Sequence, residues 1–255
     1  MKNPNWHRDE LMLALDLYFD PNRGSIDARN PNVIALSELL NKLPIVSIRP
    51  DAERFRNPNG VSLKLSNFLA IDPAYGGKGM DRGGKLDKLV FEEFKNDRDR
   101  LHHLTQQIKA ITTNESLRQQ LYQIEEDENT LTDGVQEGKV LYKMHKYRER
   151  NTQIIAAKKK AVLKATGTLA CEACGFDFYK TYGELGKGFI ECHHIEPLAL
   201  YDITRPTKVT DLALVCANCH RMLHRQPSII TVNELKNIII SRRNIDTIHA
   251  NYFKP

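Results

Sequence analysis

Two Cys-x-x-Cys pairs constrain this chain more than any other feature of its sequence. Cys171 and Cys174 form the first pair, Cys216 and Cys219 the second. Two thiolates at this spacing can reach one tetrahedral Zn²⁺, and two such pairs complete a closed structural site. Histidines surround both pairs, which favours zinc over a redox pair or four unrelated thiols. We interpret the fifth cysteine, Cys192, as a small buried residue.

Four histidines accompany the cysteines. His193 and His194 lie between the two pairs, His220 directly follows Cys219, and His224 comes four residues later. Residues four apart share one face of a helix. If zinc holds a strand and a helix together, the four imidazoles can therefore surround one point. A pure zinc ribbon does not need them, although a non-catalytic zinc-ribbon protein that binds DNA remains an alternative.

The pattern of apolar residues predicts an α+β chain of 255 residues with two domains. Helical spacing over 6–19, 33–43 and 61–71, followed by a charged helix from 86 past 101, predicts a mostly helical domain at 1–105. We interpret the polar residues 106–137 as a linker with at most one helix. Residues 138–255 form the second domain. It is predicted to have a long basic helix over 138–164, short strands and turns over 168–174, 188–195 and 213–224, and a last helix over 232–243.

Charge is distributed unevenly along the chain, whose formal net charge is +5. Residues 139–164 contain nine cations and one acid, whereas residues 125–137 contain six acids and no cation. Such runs are most often solvated helix faces, but this basic run leads into the metal-ligand pattern, which favours a role facing phosphates. No apolar stretch approaches the ~18–20 residues of a membrane span, and the polar N-terminus lacks a secretory signal. We expect a cytoplasmic protein without membrane contact.

The run C-E-A-C … E-C-H-H-I-E-P-L … D-L-A-L-V-C-A-N-C-H-R-M-L-H resembles the HNH endonucleases of the McrA-like branch, over roughly residues 138–226. The resemblance implies a ββα-metal fold with one catalytic divalent ion, Mg²⁺ or Mn²⁺, beside the structural Zn²⁺. It also implies that His194 is the general base, that His193 and His220 are metal ligands, and that His224 is an additional ligand.

One position departs from the HNH pattern. The middle Asn of the family is replaced here by Asp211, five residues before Cys216. In the family this side chain orients the general-base imidazole, and a carboxylate can accept the same hydrogen bond while raising the basicity of the imidazole. We therefore expect catalysis to survive the replacement.

Phosphodiester hydrolysis needs an activated water and neutralisation of charge on the phosphate. A neutral imidazole can accept the proton, and a divalent ion held by other imidazoles can stabilise the leaving oxygen. Double-stranded DNA is the expected partner, and a homodimer is left open. Cations near the site are candidates for gripping flanking phosphates: Lys158, Lys159, Lys160, Arg221 and Arg225.

The N-terminal half resembles DNA sulfur-binding domains, which combine cations with a shallow apolar pocket. The resemblance implies a reader of phosphorothioate or methylated DNA, and hence a modification-dependent restriction endonuclease. Ordinary helix starts and turns are an equal alternative here, and a homing-type or nonspecific HNH nuclease is the rival enzyme. The predicted phosphate contacts are Arg8, Arg56, Lys64 and Lys78, and the predicted pocket residues are Pro58 and Val61.

Overall fold

The computed structural model describes residues 2–77, 84–124, 138–195, 205–225 and 230–252. The chain divides into two compact units. Met1–Glu125 and Glu137–Met144 form the first, and Glu126–Gln136 and His145–Pro255 form the second. No helix in these described ranges is both long enough and apolar enough to cross a membrane.

The described part of the first unit is helical, and its first helix is central. All five residues from Leu11 to Leu15 are at most 1% exposed, because α1 is covered by its neighbours on every side. The helices are α1 (Arg8–Phe19), α2 (Pro31–Lys42), α3 (Pro58–Ile71), α4 (Lys85–Phe94), α5 (Arg98–Thr113), α6 (Glu115–Tyr122) and the start of α7 (Lys139–Glu149).

Helix starts in this unit follow from capping side chains. Asn30 and Asn57 accept hydrogen bonds from backbone N–H groups in the first turns of α2 and α3, and a proline follows each. Both features satisfy or remove donors that a helix start leaves unpaired. Asp97 caps α5 in the same way, so the charged helix predicted from 86 past 101 is two helices, α4 and α5.

Residues 106–113 and 115–122, predicted above to belong to a linker, are helical. Leu104, Ile108 and Ile111 on α5 recur at helical spacing and are buried, as is Leu121 on α6. The apolar residues are sparse because polar side chains occupy the other faces, so the buried stripe is narrow. The acidic residues 125–137 lie outside the described residues.

The second unit contains the predicted ββα order. Strand β1 (Glu191–His194) pairs with β2 (Leu212–Val215) in an antiparallel sheet, and α10 (Ala217–Leu223) follows directly. Cys192 faces Leu214 in the register, and His194 faces Leu212. The sheet packs with Ile190, Leu223 and Leu235 in one core. The remaining helices are α8 (Thr152–Thr166), α9 (Phe178–Tyr182) and α11 (Val232–Tyr252).

Two predicted elements differ in this unit. The long basic helix is broken between α7 and α8, because Asn151 accepts hydrogen bonds from the N–H groups of Gln153 and Ile154 and so starts a new helix. Residues 168–174 contain one bridge, Ala170 with Asp177, instead of a strand, because the chain turns at Cys171 to present its thiols. Gly167 ends α8 as predicted, in the left-handed conformation with φ of 76°.

Candidate metal centres and active site

The four paired cysteines converge on one point. The sulfur atoms of Cys171, Cys174, Cys216 and Cys219 all lie within 4.8 Å of one another. Four sulfurs at about 2.3 Å from a tetrahedral zinc ion would lie about 3.8 Å apart, and the Sγ atoms of Cys174 and Cys216 are separated by 3.7 Å. All are free thiols. The donor set and its spacing therefore fit a structural Zn²⁺ site.

Backbone geometry builds each half of this four-Cys cluster. Gly175, with φ of 79°, donates its N–H to the carbonyl of Cys171 and closes the first turn. Cys216 caps α10, and its Sγ accepts from the N–H of Cys219 at 3.5 Å. Burial raises the pKa of Cys171, but hydrogen bonds from backbone N–H groups outweigh burial and lower it. Such donors favour the thiolate that a metal requires.

A second cluster combines three imidazoles with one carboxylate. His145 and Glu149 on α7, His193 on β1 and His224 at the end of α10 place their donor atoms within 4.8 Å of one another. Glu149 Oε1 lies 2.8 Å from His145 Nε2 and 2.9 Å from His193 Nδ1, and Glu149 Oε2 lies 3.3 Å from His224 Nε2. Nitrogen and oxygen donors of this kind could hold one divalent ion.

His220 lies beside this His–Glu cluster with a carboxylate at each ring nitrogen. Its Nδ1 is 2.5 Å from Glu191 and its Nε2 is 3.2 Å from Glu149. Burial lowers the pKa of His220, but the two carboxylates outweigh burial and raise it to about 9. At pH 7 in this arrangement the ring is therefore the imidazolium cation, with a proton on each nitrogen. It could bind a metal only after losing one of these protons.

The other groups hold the protonation states that metal ligands need. Burial would raise the pKa of Glu149, but the imidazoles of His145, His193 and His220 hold it well below its usual range. Burial lowers the pKa of His193 to about 4 and also lowers that of His224. At pH 7 the carboxylate is ionised and these two rings are neutral, so their lone pairs are available to a metal.

His194 is next to the His–Glu cluster without being part of it. Its ring lies 5.2 Å from that of His145, edge to face, and it is 2% exposed. Nε2 is 3.4 Å from Thr207 Oγ1, and Nδ1 has no hydrogen-bond partner among the described residues. Burial lowers the pKa of His194 to about 3. The ring is thus neutral at pH 7 and has an unpaired nitrogen that can accept a proton.

Asp211 does not make the hydrogen bond to His194 that the sequence analysis anticipates. Its Oδ2 accepts from Arg205 Nη2 at 2.7 Å and from the Lys208 N–H at 2.8 Å. The nearby guanidinium attracts the carboxylate more strongly than a neutral ring can. The backbone of Asp211 still holds the end of β1, because its carbonyl accepts from the N–H of Ile195 at 2.9 Å.

The cations predicted to grip phosphates near the site differ in their surroundings. Lys158 Nζ lies 3.7 Å from Glu172, and Lys159 donates to the carbonyl of Gly188 at 2.9 Å, so both are partly engaged within the unit. Lys160 and Arg221 are exposed. Exposed cations are the ones that can reach a polyanion without breaking an internal contact.

In the first unit, the three described cations predicted to contact phosphates have internal partners. Arg56 donates from Nε and Nη2 to the two carboxylate oxygens of Glu10, and the two side chains are 4% and 0% exposed. Arg8 Nη2 lies 2.7 Å from both oxygens of Glu93. Lys64 Nζ pairs with Asp87 at 2.9 Å. Each of these three side chains therefore has an acidic partner within the first unit.

The predicted pocket residues of the first unit do not form an exposed pocket. Val61 is 0% exposed and belongs to the core, because α3 turns it inward. Pro58 is the first residue of α3 and is half-buried. Lys78 lies outside the described residues.

Comparison with known proteins identifies the second unit in part. The family described as HNH endonuclease matches residues 171–226. No curated protein and no solved structure matches the chain. The matched segment contains both cysteine pairs and the predicted site residues His193, His194, Asp211, His220 and His224. Residues 171–226 thus match the HNH endonucleases, a class that acts on nucleic acid with a divalent metal.

Sequence reasoning missed His145 and Glu149, which lie before the matched segment. Their spacing of four residues places both on one helix face, and Glu149 is the only acid among the nine cations of residues 139–164. That isolated acid, paired with a histidine one turn earlier, is the signal from which they could have been found.

Proposed function

We propose that this protein is a DNA endonuclease that hydrolyses phosphodiester bonds with one divalent metal ion. His194 acts as the general base, and His145, Glu149, His193 and His224 hold the ion. A neutral, buried His194 beside a cluster of metal-binding groups carries the proposal, since both lie in or next to the segment that matches HNH endonucleases. A zinc ribbon that only binds DNA has no need of this second cluster.

The side chains divide the reaction between them. His194 accepts a proton from the attacking water, because burial keeps its ring neutral with a lone pair available before the reaction. Packing of its ring against that of His145 fixes the orientation of the base. When bound, the divalent ion supplies positive charge to the phosphate and the leaving oxygen. His220 pairs through Nδ1 with Glu191 at the edge of the site.

The donor set also bears on the metal. Three imidazoles and one carboxylate suit Mn²⁺ or a later transition metal better than Mg²⁺, which prefers oxygen donors. We therefore propose Mn²⁺ as the better activator. The structural ion at the four-Cys cluster is proposed to be Zn²⁺.

Substrate selection is the finer part of the proposal. Double-stranded DNA fits the exposed cations Lys160 and Arg221 near the site. A preference of the enzyme for phosphorothioate or methylated DNA, as in the restriction of foreign DNA, stays a prediction from the sequence resemblance. The side chains predicted for it in the first unit are engaged internally where described, so any such reader would have to use other residues.

Plasmid cleavage by the full chain tests the proposed function. We expect supercoiled DNA to be nicked or linearised with Mn²⁺, more slowly with Mg²⁺, and not at all with excess chelator. His194→Ala should reduce the rate about 10²–10⁴-fold, the usual contribution of a general base. Zinc content should stay near that of the wild type, and the melting temperature should fall only as expected for truncation of one buried side chain.

His103→Ala is the matched control, because His103 is an exposed histidine on α5 in the other unit. It should cut at the wild-type rate. A His194→Ala protein that also cuts at that rate would show that His194 is not the base. A wild-type protein that cuts no DNA with any divalent ion would contradict the nuclease proposal itself.

A further inference from the structure

An exposed apolar projection stands between the first cysteine pair and β1. Leu185 is 88% exposed, and Tyr182 and Phe189 are 55% and 52% exposed. The rings of Tyr182 and Phe189 both contact Phe178, with centroids 6.0 and 4.7 Å away. We call Tyr182, Leu185 and Phe189 the apolar tip. Contiguous apolar surface of this kind commonly marks an interaction site.

Backbone geometry holds the apolar tip in a defined shape. Leu185 lies in the 3-10 turn Gly183–Gly186, and Gly183 and Gly188 on either side have positive φ of 61° and 73°. A side chain at Gly186 would collide with the carbonyl of Phe178. Leu185 is therefore presented to solvent by a turn that only glycines at these positions permit.

Charge around the apolar tip indicates what binds it. Helix α8 carries Lys158, Lys159, Lys160 and Lys164 and no acid, and Lys159 is hydrogen-bonded to Gly188 beside Phe189. From 152 to 190 there are six cations and three acids, a net charge of +3. A second copy of the chain would bring two such basic surfaces together, which costs free energy. A polyanion is attracted instead.

The apolar tip is also close to the proposed site of cleavage. Phe189 precedes the proposed metal ligand His193 by four residues, so their Cα atoms are at most about 15 Å apart. One turn of duplex DNA is about 34 Å long. A duplex with a phosphate at His193 can therefore reach the apolar tip within the same turn.

We propose that the apolar tip contacts the sugar and base surface of a DNA groove beside the scissile phosphate, while the exposed Lys160 and Lys164 of α8 contact the backbone. This inference rests on the proposed nuclease function and adds the surface by which the domain holds its substrate. Apolar side chains placed in this way can wedge against a base step or pack on deoxyribose rings. The apolar tip carries no charge, so its contribution to DNA affinity should not depend on salt concentration.

Equilibrium binding of a labelled, unmodified DNA duplex tests the apolar tip. The full chain is used with His194→Ala, so that the duplex is not cut, across a series of salt concentrations. Burying one leucine side chain corresponds to about a tenfold or larger change in affinity. We expect Leu185→Ser to weaken binding by about that factor at every salt concentration, with the slope of log K against log salt unchanged. Leu185→Met should bind as the parent does.

Ile238→Ser is the matched control, since Ile238 is 50% exposed on α11 in the same unit, and it should leave binding unchanged. Parent-like affinity of Leu185→Ser would overturn the proposal, and so would a reduced salt slope, which would indicate a lost phosphate contact. Sedimentation that shows Leu185→Ser turning a dimer into a monomer would assign the surface to a second copy. A parent protein that neither binds nor cuts DNA would instead contradict the nuclease function.

Discussion

At the scale of single residues, Glu149 stands out because one carboxylate faces four imidazoles. His145, His193, His220 and His224 each place a nitrogen within 3.3 Å of one of its two oxygens. The side chain is 6% exposed, so this ionised group is separated from water. A buried anion persists only with such compensation, which a bound cation would strengthen.

Glu149→Gln tests this role with little change in shape. The amide keeps an oxygen but loses the charge, so we expect Mn²⁺ affinity and cleavage rate to fall by about 10–100-fold or more, as for loss of groups that support a metal site. Calorimetric titration with Mn²⁺ and plasmid cleavage measure the two effects. Glu92→Gln, at an exposed carboxylate of the first unit, should change neither. Wild-type Mn²⁺ affinity in Glu149→Gln would exclude this residue from the metal site.

Arg56 illustrates a cation whose role depends on burial. Its guanidinium packs between Trp6 and Phe55, at 4.8 and 4.5 Å from the ring centres, and pairs with buried Glu10. Arg56→Ala would leave that carboxylate without its partner, and we expect the free energy of unfolding to fall by about 3–5 kcal/mol. Urea unfolding measures it. Arg54→Ala, at an exposed neighbour, should cost little.

Measuring DNA binding by Arg56→Ala tests the alternative, that Arg56 contacts a phosphate. If Arg56→Ala kept wild-type stability but bound DNA more weakly with a smaller salt dependence, the original phosphate-contact hypothesis would be correct. We expect the reverse pattern, with lower stability and an unchanged salt dependence of the folded protein.

The sequence predicted some residues of the site and missed others for physical reasons. Spacing alone identified the four cysteines, because two residues between thiols is a local property of a metal-binding turn. His145 and Glu149 meet His193 across more than 40 residues of chain, and such a contact leaves little local pattern. The pairing of Arg56 with Glu10 is equally non-local, with a separation of 46 positions in the sequence.

At the scale of elements, the start of α7 depends on one buried acid. Asp9 on α1 is 0% exposed and accepts hydrogen bonds from the N–H groups of Lys139 and Val140, at 2.8 and 3.2 Å. Gly138 just before the helix has φ of 83°, and a side chain there would collide with Asp9. The carboxyl therefore caps α7 from a position that water does not reach.

Burial raises the pKa of Asp9 from 3.8 to about 6, in spite of the two helix N–H groups. A pKa that is higher in the folded state contributes stability at low pH, and this stability is lost as pH rises through about 6. The difference between the two pKa values corresponds to at most about 3 kcal/mol of unfolding free energy. We expect Asp9→Asn to remove this loss, which urea unfolding at pH 4.5 and pH 7 of both proteins measures.

The expected sign is specific. The stability of the wild type relative to Asp9→Asn should decrease between pH 4.5 and pH 7. Asp27→Asn, at an exposed carboxylate, should not show this decrease. A relative stability that stays constant or increases would mean that the folded pKa of Asp9 is not raised.

Helices were predicted better than their ends. The apolar spacing of α2 and α3 is confirmed, since most of their buried residues recur at helical intervals, whereas α1 is helical but buried on all sides. The breaks before α5 and α8 were missed, because each depends on one capping side chain, Asp97 or Asn151, inside a continuous charged pattern. A cap is a single polar residue and does not alter hydrophobic periodicity.

At the scale of the whole molecule, the proposed chemistry depends on a small sheet with little core. Strands β1 and β2 have four residues each, and two strands alone are marginally stable. Glu172, beside Cys171, makes two hydrogen bonds with Leu214 on β2. Its backbone N–H donates to the Leu214 carbonyl, and its carboxylate accepts from the Leu214 N–H. The first cysteine pair is thereby tied to the sheet that carries His193 and His194. The domain limits at residues 105 and 137 stay a prediction.

Removing one cysteine should therefore remove the active site along with the zinc. Structural zinc sites supply of order 10 kcal/mol of folding free energy, and domains that rely on them unfold without the metal. We expect Cys171→Ser to lower zinc content well below one ion per chain, to abolish DNA cleavage and to lower the melting temperature. Metal analysis by mass spectrometry and thermal unfolding measure these effects.

Cys192→Ser is the matched control within the same sheet. Cys192 is buried on β1 but lies outside the four-Cys cluster, so the variant should keep a full complement of zinc while losing about 1–3 kcal/mol from burial of a hydroxyl. The four-Cys cluster lies wholly in the second unit. The helical signal of the first unit should therefore persist at the temperature at which the second unit of Cys171→Ser unfolds. Normal zinc content and melting in Cys171→Ser would show that these thiols do not form a structural metal site.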